Sequence, residues 1–322
     1  FLPESQRRSI AFVTAFGMLG IAAVSALLWA PTPANEGLYW GGMVRYDMLA
    51  LVFKIIVLIG GALTAMQALD VPYLRTRGEF YVIMIVSSLG GCLIAGASDL
   101  IMLFIGLETL TIPLYILAAF KRDDAKSSEA GLKYFLFGAF ASGILLYGLT
   151  LLYGFTGQTN LYLIAEYLQS PAFAQNLIPV LIAMGIILVG FGFKISAAPF
   201  HFWTPDVYEG APTPVTSFLS VASKSASFAL LLRFGLAVFP PSLFLDGQQV
   251  QGYWTNIAAV LAVASITVGN ILALAQKNIK RLLAYSSIAQ AGYILIGVAA
   301  LQSPAAQESA VASVVFYTAM YT

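Results

Sequence analysis

Two lysines and one glutamate stand inside long apolar runs. Lys194 lies in LIPVLIAMGIILVGFGFKISAAPF, Lys224 in PVTSFLSVASKSASFALLLRFGLAVF, and Glu108 in DLIMLFIGLETLTIPLYILAAF. A charge at membrane depth costs roughly 2.5–3.5 kcal/mol on insertion scales. Desolvation disfavours the charged form of amines and carboxyls alike. Groups placed this way can take up and release protons as their surroundings change, which points to an ion or proton pathway. Each also has a plainer reading. Glu108 can be half of a fixed ion pair, and a lysine can snorkel its head to the interface. Snorkelling suits Lys54 and Arg233, nearer the ends of their runs, better than Lys224, near the middle of its own.

Lys133 follows KRDDAKSSEAGL and lies only a few residues into its run, so it reads either as a cytoplasmic anchor or as a pathway residue. The stretch KISAAPFHFWTPDVYEGAPTPVT has no Lys or Arg after Lys194 and is rich in aromatics. Its Pro199, Pro205, Pro212 and Pro214 each lack a backbone donor. That predicts a helix broken between about Lys194 and His201, at a depth where unwound backbone must line a cavity or pack in protein. His201 follows the break and reads as a proton relay between the lysines or as a satisfied core histidine. Phe202 and Trp203 read as packing, and Asp206 and Glu209 as a helix cap or the lining of a proton entrance. The Ser and Gln of QKNIKRLLAYSSIAQAGY read as interhelical hydrogen-bonding groups.

These residues need helices to hold them. The chain is 59% hydrophobic and 10% charged, with a mean hydropathy of +0.85. Soluble domains carry about 25% charged residues, so an all-α, polytopic transmembrane bundle is predicted. Apolar runs give spans at roughly 10–30, 47–69, 80–98, 100–120, 130–154, 177–198, 213–238, 253–275 and 282–301, with a partial tenth from 309. Arg7, Arg8, Arg75, Arg77, Lys121, Arg122, Lys126, Lys277, Lys280 and Arg281 all fall in alternate loops, against Arg45 alone on the other side. The basic side is therefore cytoplasmic. Asp47 and Asp99 sit at span starts, where a helix N-terminus favours a carboxylate. The chain opens on Phe1 and closes inside an apolar run, and so reads as an interior stretch of a longer protein.

Composition also excludes. A net charge of +1 gives no nucleic-acid footprint. A lone Cys92 allows no disulfide framework or iron–sulfur cluster within the chain, and a lone His201 no two-histidine metal or haem site. No phosphate-binding glycine loop or zinc motif is present, which leaves the chemistry to lysines, a glutamate and water.

The string FKISAAPFHFWTPDVYEGAPTPVTSFLSVASK, with GLETLTIPLYIL before it and NIKRLLAYSSIAQAGY after it, resembles the subunit N (chain 2) family of respiratory complex I. DVYEGAPTPVT is closer to subunit N than to subunits M or L or to cation-antiporter homologues. The resemblance covers nearly the whole chain. It implies inverted five-helix repeats, each with a broken helix: N-terminal peripheral helices at 1–79, a first proton-channel repeat at 80–238, and the start of a second, incomplete repeat at 253–322. It assigns proton translocation to Glu108, Lys194 and Lys224, with His201 and Lys133 as further polar-axis positions. It implies a membrane-arm subunit of NADH-quinone oxidoreductase, in a bacterial plasma membrane or an organellar energy-transducing membrane. It implies no cofactor in this chain, with quinone, flavin and iron–sulfur clusters in partner subunits. The partners it implies are antiporter-like subunit M, small membrane subunits and the lipid bilayer. The alternatives are a subunit of a cation/proton antiporter or hydrogenase-type complex, and a membrane-arm scaffold without a proton path.

Overall fold

The computed structural model describes residues 8–171 and 173–322. Arg7 and the rest of 1–7 lie outside the described residues. The helices are α1 (Ser9–Leu27), α2 (Met48–Gln67), α3 (Gly78–Gly96), α4 (Leu100–Ala118), α5 (Ala125–Thr156), α6 (Leu161–Leu168) and α7 (Leu177–Lys194). They continue as α8 (Thr204–Gly210), α9 (Thr213–Phe218), α10 (Lys224–Val238), α11 (Gln251–Leu274), α12 (Ile279–Ala299) and α13 (Gln307–Tyr321). Nine spans among the described residues are long and apolar enough to cross a membrane, one of them running from Thr213 through α9 and α10 to Val238. The protein is an integral, multi-pass membrane protein. Two short antiparallel hairpins, Gly37–Tyr39 with Val44–Tyr46 and Phe244–Leu245 with Gln248–Gln249, close loops on the side opposite the basic loops.

Helix starts follow capping chemistry more closely than hydropathy. Asp47 and Asp99 each accept a backbone N–H of their own helix, from Ala50 and Ile101 at 2.8 Å. Asp124 accepts from Lys126 N, and Asn278 from Lys280 N and Arg281 N. Such caps satisfy donors the first turn leaves unpaired. They start α5 and α12 several residues before the apolar runs at 130 and 282.

Close helix contacts rest on small residues, as expected where lipid offers no competing hydrophobic drive. A Cβ at Gly90 of α3 would lie 2.2 Å from the Leu110 backbone nitrogen of α4. One at Gly210 of α8 would lie 2.3 Å from the Lys126 carbonyl oxygen of α5. The second approach seats α8 against α5 and α12 at the basic end.

The predicted break is present: α7 ends at Lys194 and α8 begins at Thr204. The ending is a Schellman motif. Ala197 N–H donates to Gly192 O at 2.8 Å and Ser196 N–H to Phe193 O at 3.1 Å, with Ser196 left-handed at φ 61°. Ala198 N–H is taken by Ser265 Oγ of α11 at 2.9 Å. Trp203 folds back, donates from Nε1 to Phe193 O at 3.1 Å, and stacks on Tyr134 with centroids 4.7 Å apart. Pro205 enters at the start of α8, where its missing N–H costs nothing. The N–H groups of Ser196, Ala197 and Ala198 at the break are thus hydrogen-bonded within protein.

Candidate proton pathway

Lys194 closes the last turn of α7 and is 7% exposed. The carbonyl end of a helix favours a cation. Its Nζ has no hydrogen-bond partner in the protein and lies 6.0 Å from the Phe193 ring centroid. Glu108 is on α4 with one buried oxygen, Oε1, also without a protein partner. The reading of Glu108 as half of a fixed ion pair is not met by Lys194. No ion pair within 4.0 Å joins them. Thr111 and Tyr115, three and seven residues on, share the Glu108 face of α4. Their hydroxyls and Ser142 Oγ of α5 are buried without a close partner. Buried polar atoms in this condition are where ordered water binds.

Lys224 is 2% exposed. It follows a single π-helical turn, Leu219–Ser223, a distortion frequent at functional sites. Nζ lies 2.7 Å from the Ser287 carbonyl oxygen and 2.5 Å from Ser287 Oγ, both on α12. No carboxylate touches it. His201 is half-buried in the break with Nδ1 unpartnered, and bonds neither lysine.

Lys133 sits elsewhere. It contacts Asp206 Oδ2 at 2.6 Å and Glu129 Oε1, four residues back, at 2.7 Å. Arg281 contacts Asp206 Oδ1 at 2.6 Å and Glu209 Oε2 at 3.3 Å, and Lys126 contacts Glu209 Oε1 at 2.9 Å. Together they line an open cavity of about 190 Å³ at the basic end. Asp206 and Glu209 accept from side chains there, so neither acts as a helix cap. Burial raises the Asp206 carboxyl, but hydrogen bonds from Lys133 and Arg281 outweigh it and hold the group below its ordinary value. The Lys126 hydrogen bond, with help from Arg281, holds Glu209 low against a smaller effect of burial.

The NADH:quinone oxidoreductase/Mrp antiporter transmembrane family model matches residues 97–322. The chain is 42% identical over its full length to NADH-quinone oxidoreductase subunit N of Trichlorobacter lovleyi, and spans 63% of that protein. It superposes on a chain of respiratory complex I from Thermus thermophilus with a TM-score of 0.75 and 35% identity. That match covers 98% of this chain and 64% of the other. The chain belongs to the subunit N family of NADH-quinone oxidoreductase. The Mrp complex from Dietzia, at 20% identity and a TM-score of 0.76 over 98% of this chain and 58% of the other, shares the fold.

Within this subunit N family member, two sites depart from the sequence reading. Arg233 does not snorkel. It is 3% exposed and holds Asp47 with two bonds, Nη1 to Oδ2 at 2.9 Å and Nη2 to Oδ1 at 2.6 Å. Its Nε donates to Ala95 O at 3.0 Å. Arg45 joins Asp47 at 3.1 Å. Burial raises the Asp47 carboxyl, and Arg233, the Ala50 N–H and Arg45 together leave it below its ordinary value. The second is Ser287. Its helix is legible as hydrogen-bonding, but nothing in the string singles out the serine that takes Lys224. Lys54 is half-buried near the outer end, its Nζ 5.8 Å from the Tyr46 ring centroid.

Proposed function

We propose that this chain is a proton-translocating part of the membrane arm of NADH-quinone oxidoreductase, with residues 80–238 as its channel unit. Family membership supports the complex. One observation carries the role: Lys224, at mid-span, is held only by neutral oxygens of Ser287. No fixed counter-charge commits it to one protonation state, so it can carry a proton and give it up.

Lys194 and Glu108 are the other members of the path, which a water chain must connect. Moving a proton from Lys194 toward Lys224 changes the field at Glu108, and low dielectric makes the change strongly felt. His201 stands at the break between the lysines. Lys133, with Asp206 and Arg281, belongs to the cytoplasmic mouth. The energy comes from quinone reduction in partner subunits that hold the flavin and iron–sulfur clusters, while this chain holds no redox centre. Antiporter-like subunit M and small membrane subunits complete its surroundings.

The test is proton uptake and NADH oxidation in vesicles carrying the assembled complex. Lys224→Ala and Lys224→Arg should both lower uptake, because arginine keeps its proton above pH ~12. Wild-type uptake in both variants would favour a scaffold without a path.

A further inference from the structure

Several buried hydroxyls in this bundle bond back to their own helix. Thr64, Ser88, Thr156, Ser227, Thr255 and Thr318 each donate to the carbonyl four residues earlier, at 2.7–3.0 Å. That bond satisfies a serine or threonine within a helix. Thr111 on α4 and Ser142 on α5 do not make it. They are 1% and 5% exposed, and neither hydroxyl has a partner among the described residues.

Tyr115 brings a third unpartnered hydroxyl to the same side of α5 and is 7% exposed. Its ring is held edge-on by Tyr134 and Phe135 of α5, with centroids 4.8 and 5.8 Å away. The hydroxyl ends against the bare backbone of Gly138, where a Cβ would lie 2.3 Å from its oxygen. Gly138 and Ser142 are one turn apart on one face of α5. On α4, Glu108, Thr111 and Tyr115 follow one another at helical spacing, and helical side chains lean toward the N-terminus. Tyr115 therefore leans over Thr111, and Thr111 over Glu108, whose Oε1 is buried without a partner. α7 runs antiparallel to α5: a Cβ at Gly148 would lie 2.6 Å from Ile187 Cγ1, and one at Gly190 2.6 Å from Leu145 Cβ. One turn beyond the second contact, Ser142 and Lys194 come level.

We propose that Thr111, Tyr115 and Ser142 form a site that holds ordered water against the Glu108 carboxyl, with Tyr115 as its positioning residue. This rests on the proton-path reading above. Three hydroxyls and a carboxyl supply the several polar partners that a buried water needs. None of the three is spent on backbone, and the rigid ring of Tyr115 sets where its hydroxyl stands. Water held there gives one of its hydrogens to the Glu108 carboxylate and takes one from the next water of the path. The carboxylate becomes a carboxylic acid, the held water ends as it began, and only O–H bonds change.

The experiment uses the full-length chain in its assembled membrane complex, with uptake normalised to assembled protein. Tyr115→Phe removes a single oxygen that holds no protein bond, so assembly and melting temperature should match wild type. Proton uptake should fall roughly threefold or more, and the slowing of turnover in D2O should grow. Ser142→Ala and Thr111→Val should also lower uptake. The double variant of Tyr115→Phe with Ser142→Ala should lose no more than its worse single, because both serve one site. Tyr153→Phe, on the exposed outer part of α5, should keep wild-type uptake. Lys224→Ala is run alongside. Wild-type uptake in Tyr115→Phe, an unchanged isotope effect, or losses that multiply in the double variant overturn the site, while loss in Lys224→Ala keeps the path. A fall in uptake matched by a fall in melting temperature also overturns it, as the hydroxyl would then be structural. Wild-type uptake in Lys224→Ala would sink the path itself.

Discussion

Lys224 and Arg233 stand nine residues apart on α10, both buried to within 3% exposure, and the protein treats them in opposite ways. Arg233 meets a carboxylate with a two-bonded fork and donates a third bond to backbone. Lys224 meets two neutral oxygens of one serine. A guanidinium holds its proton at any working pH, and its planar fork fits a carboxylate. An ammonium without a counter-charge keeps both protonation states within reach. One helix therefore carries a cation that a carboxylate fastens to the cap of α2 at its outer end, and at mid-depth a cation held by neutral oxygens alone. Burial alone does not distinguish the two cations; the partner's charge does.

The largest expected effect breaks the fixed half of this contrast. Arg233→Met leaves the partly buried Asp47 with only the half-exposed Arg45 beside it. Removing one partner of a buried pair costs about 3–5 kcal/mol. The variant complex should assemble in lower yield and melt earlier, whereas Lys224→Ala should assemble normally. Asp47→Asn together with Arg233→Met should recover part of the loss, because no unpaired charge remains. Equal melting of wild type and Arg233→Met would mean that the two cations are not different in kind.

The acid-lined cavity at the basic end offers a smaller effect with a clear pH signature. Asp206 is held below its ordinary value of 3.8 by Lys133 and Arg281, against burial. A carboxyl depressed in the fold contributes stability that is present above its unfolded value and fades only as pH falls toward the lower folded one. Asp206→Asn should thus lower the melting temperature of the complex by an amount that stays constant between about pH 6 and 8. The pair is a third exposed, so the decrement should be modest and should shrink with salt. A decrement that varied across that window would place Asp206 among groups that change charge during function.

How far the sequence reached follows the same physics. Lys194, Lys224 and Glu108 were legible because a charge in an apolar run is conspicuous whatever it faces. The broken helix was legible because proline removes donors. The chain's way of ending α7 was not, since a left-handed C-terminal position is usually signalled by glycine and here falls on Ser196. The π-helical turn before Lys224 has no composition mark. The Asp47–Arg233 pair joins residues 186 apart, a distance at which a single sequence shows two charges and no partner. Glu108 and Lys194 illustrate the converse: their types allow an ion pair, and tertiary packing instead leaves Glu108 Oε1 and Lys194 Nζ without a protein partner.

The smallest expected effect tests whether pairing without burial matters. Lys121 and Asp124 lie in the turn between α4 and α5, three residues apart, with Nζ and Oδ2 at 3.1 Å. Lys121 also stands 5.6 Å from the Tyr73 ring centroid. By contact distance the pair resembles Arg233 with Asp47. The two side chains are 45% and 36% exposed, however, so water and salt screen them and their free heads lose little on separation. Asp124 also caps α5 through Lys126 N, a bond that survives loss of the lysine. Lys121→Ala should leave assembly, melting temperature and proton uptake unchanged within error, at both low and high salt. If it instead lowered melting at low salt as Arg233→Met does, contact geometry and not desolvation would be the property that separates structural cations from the rest.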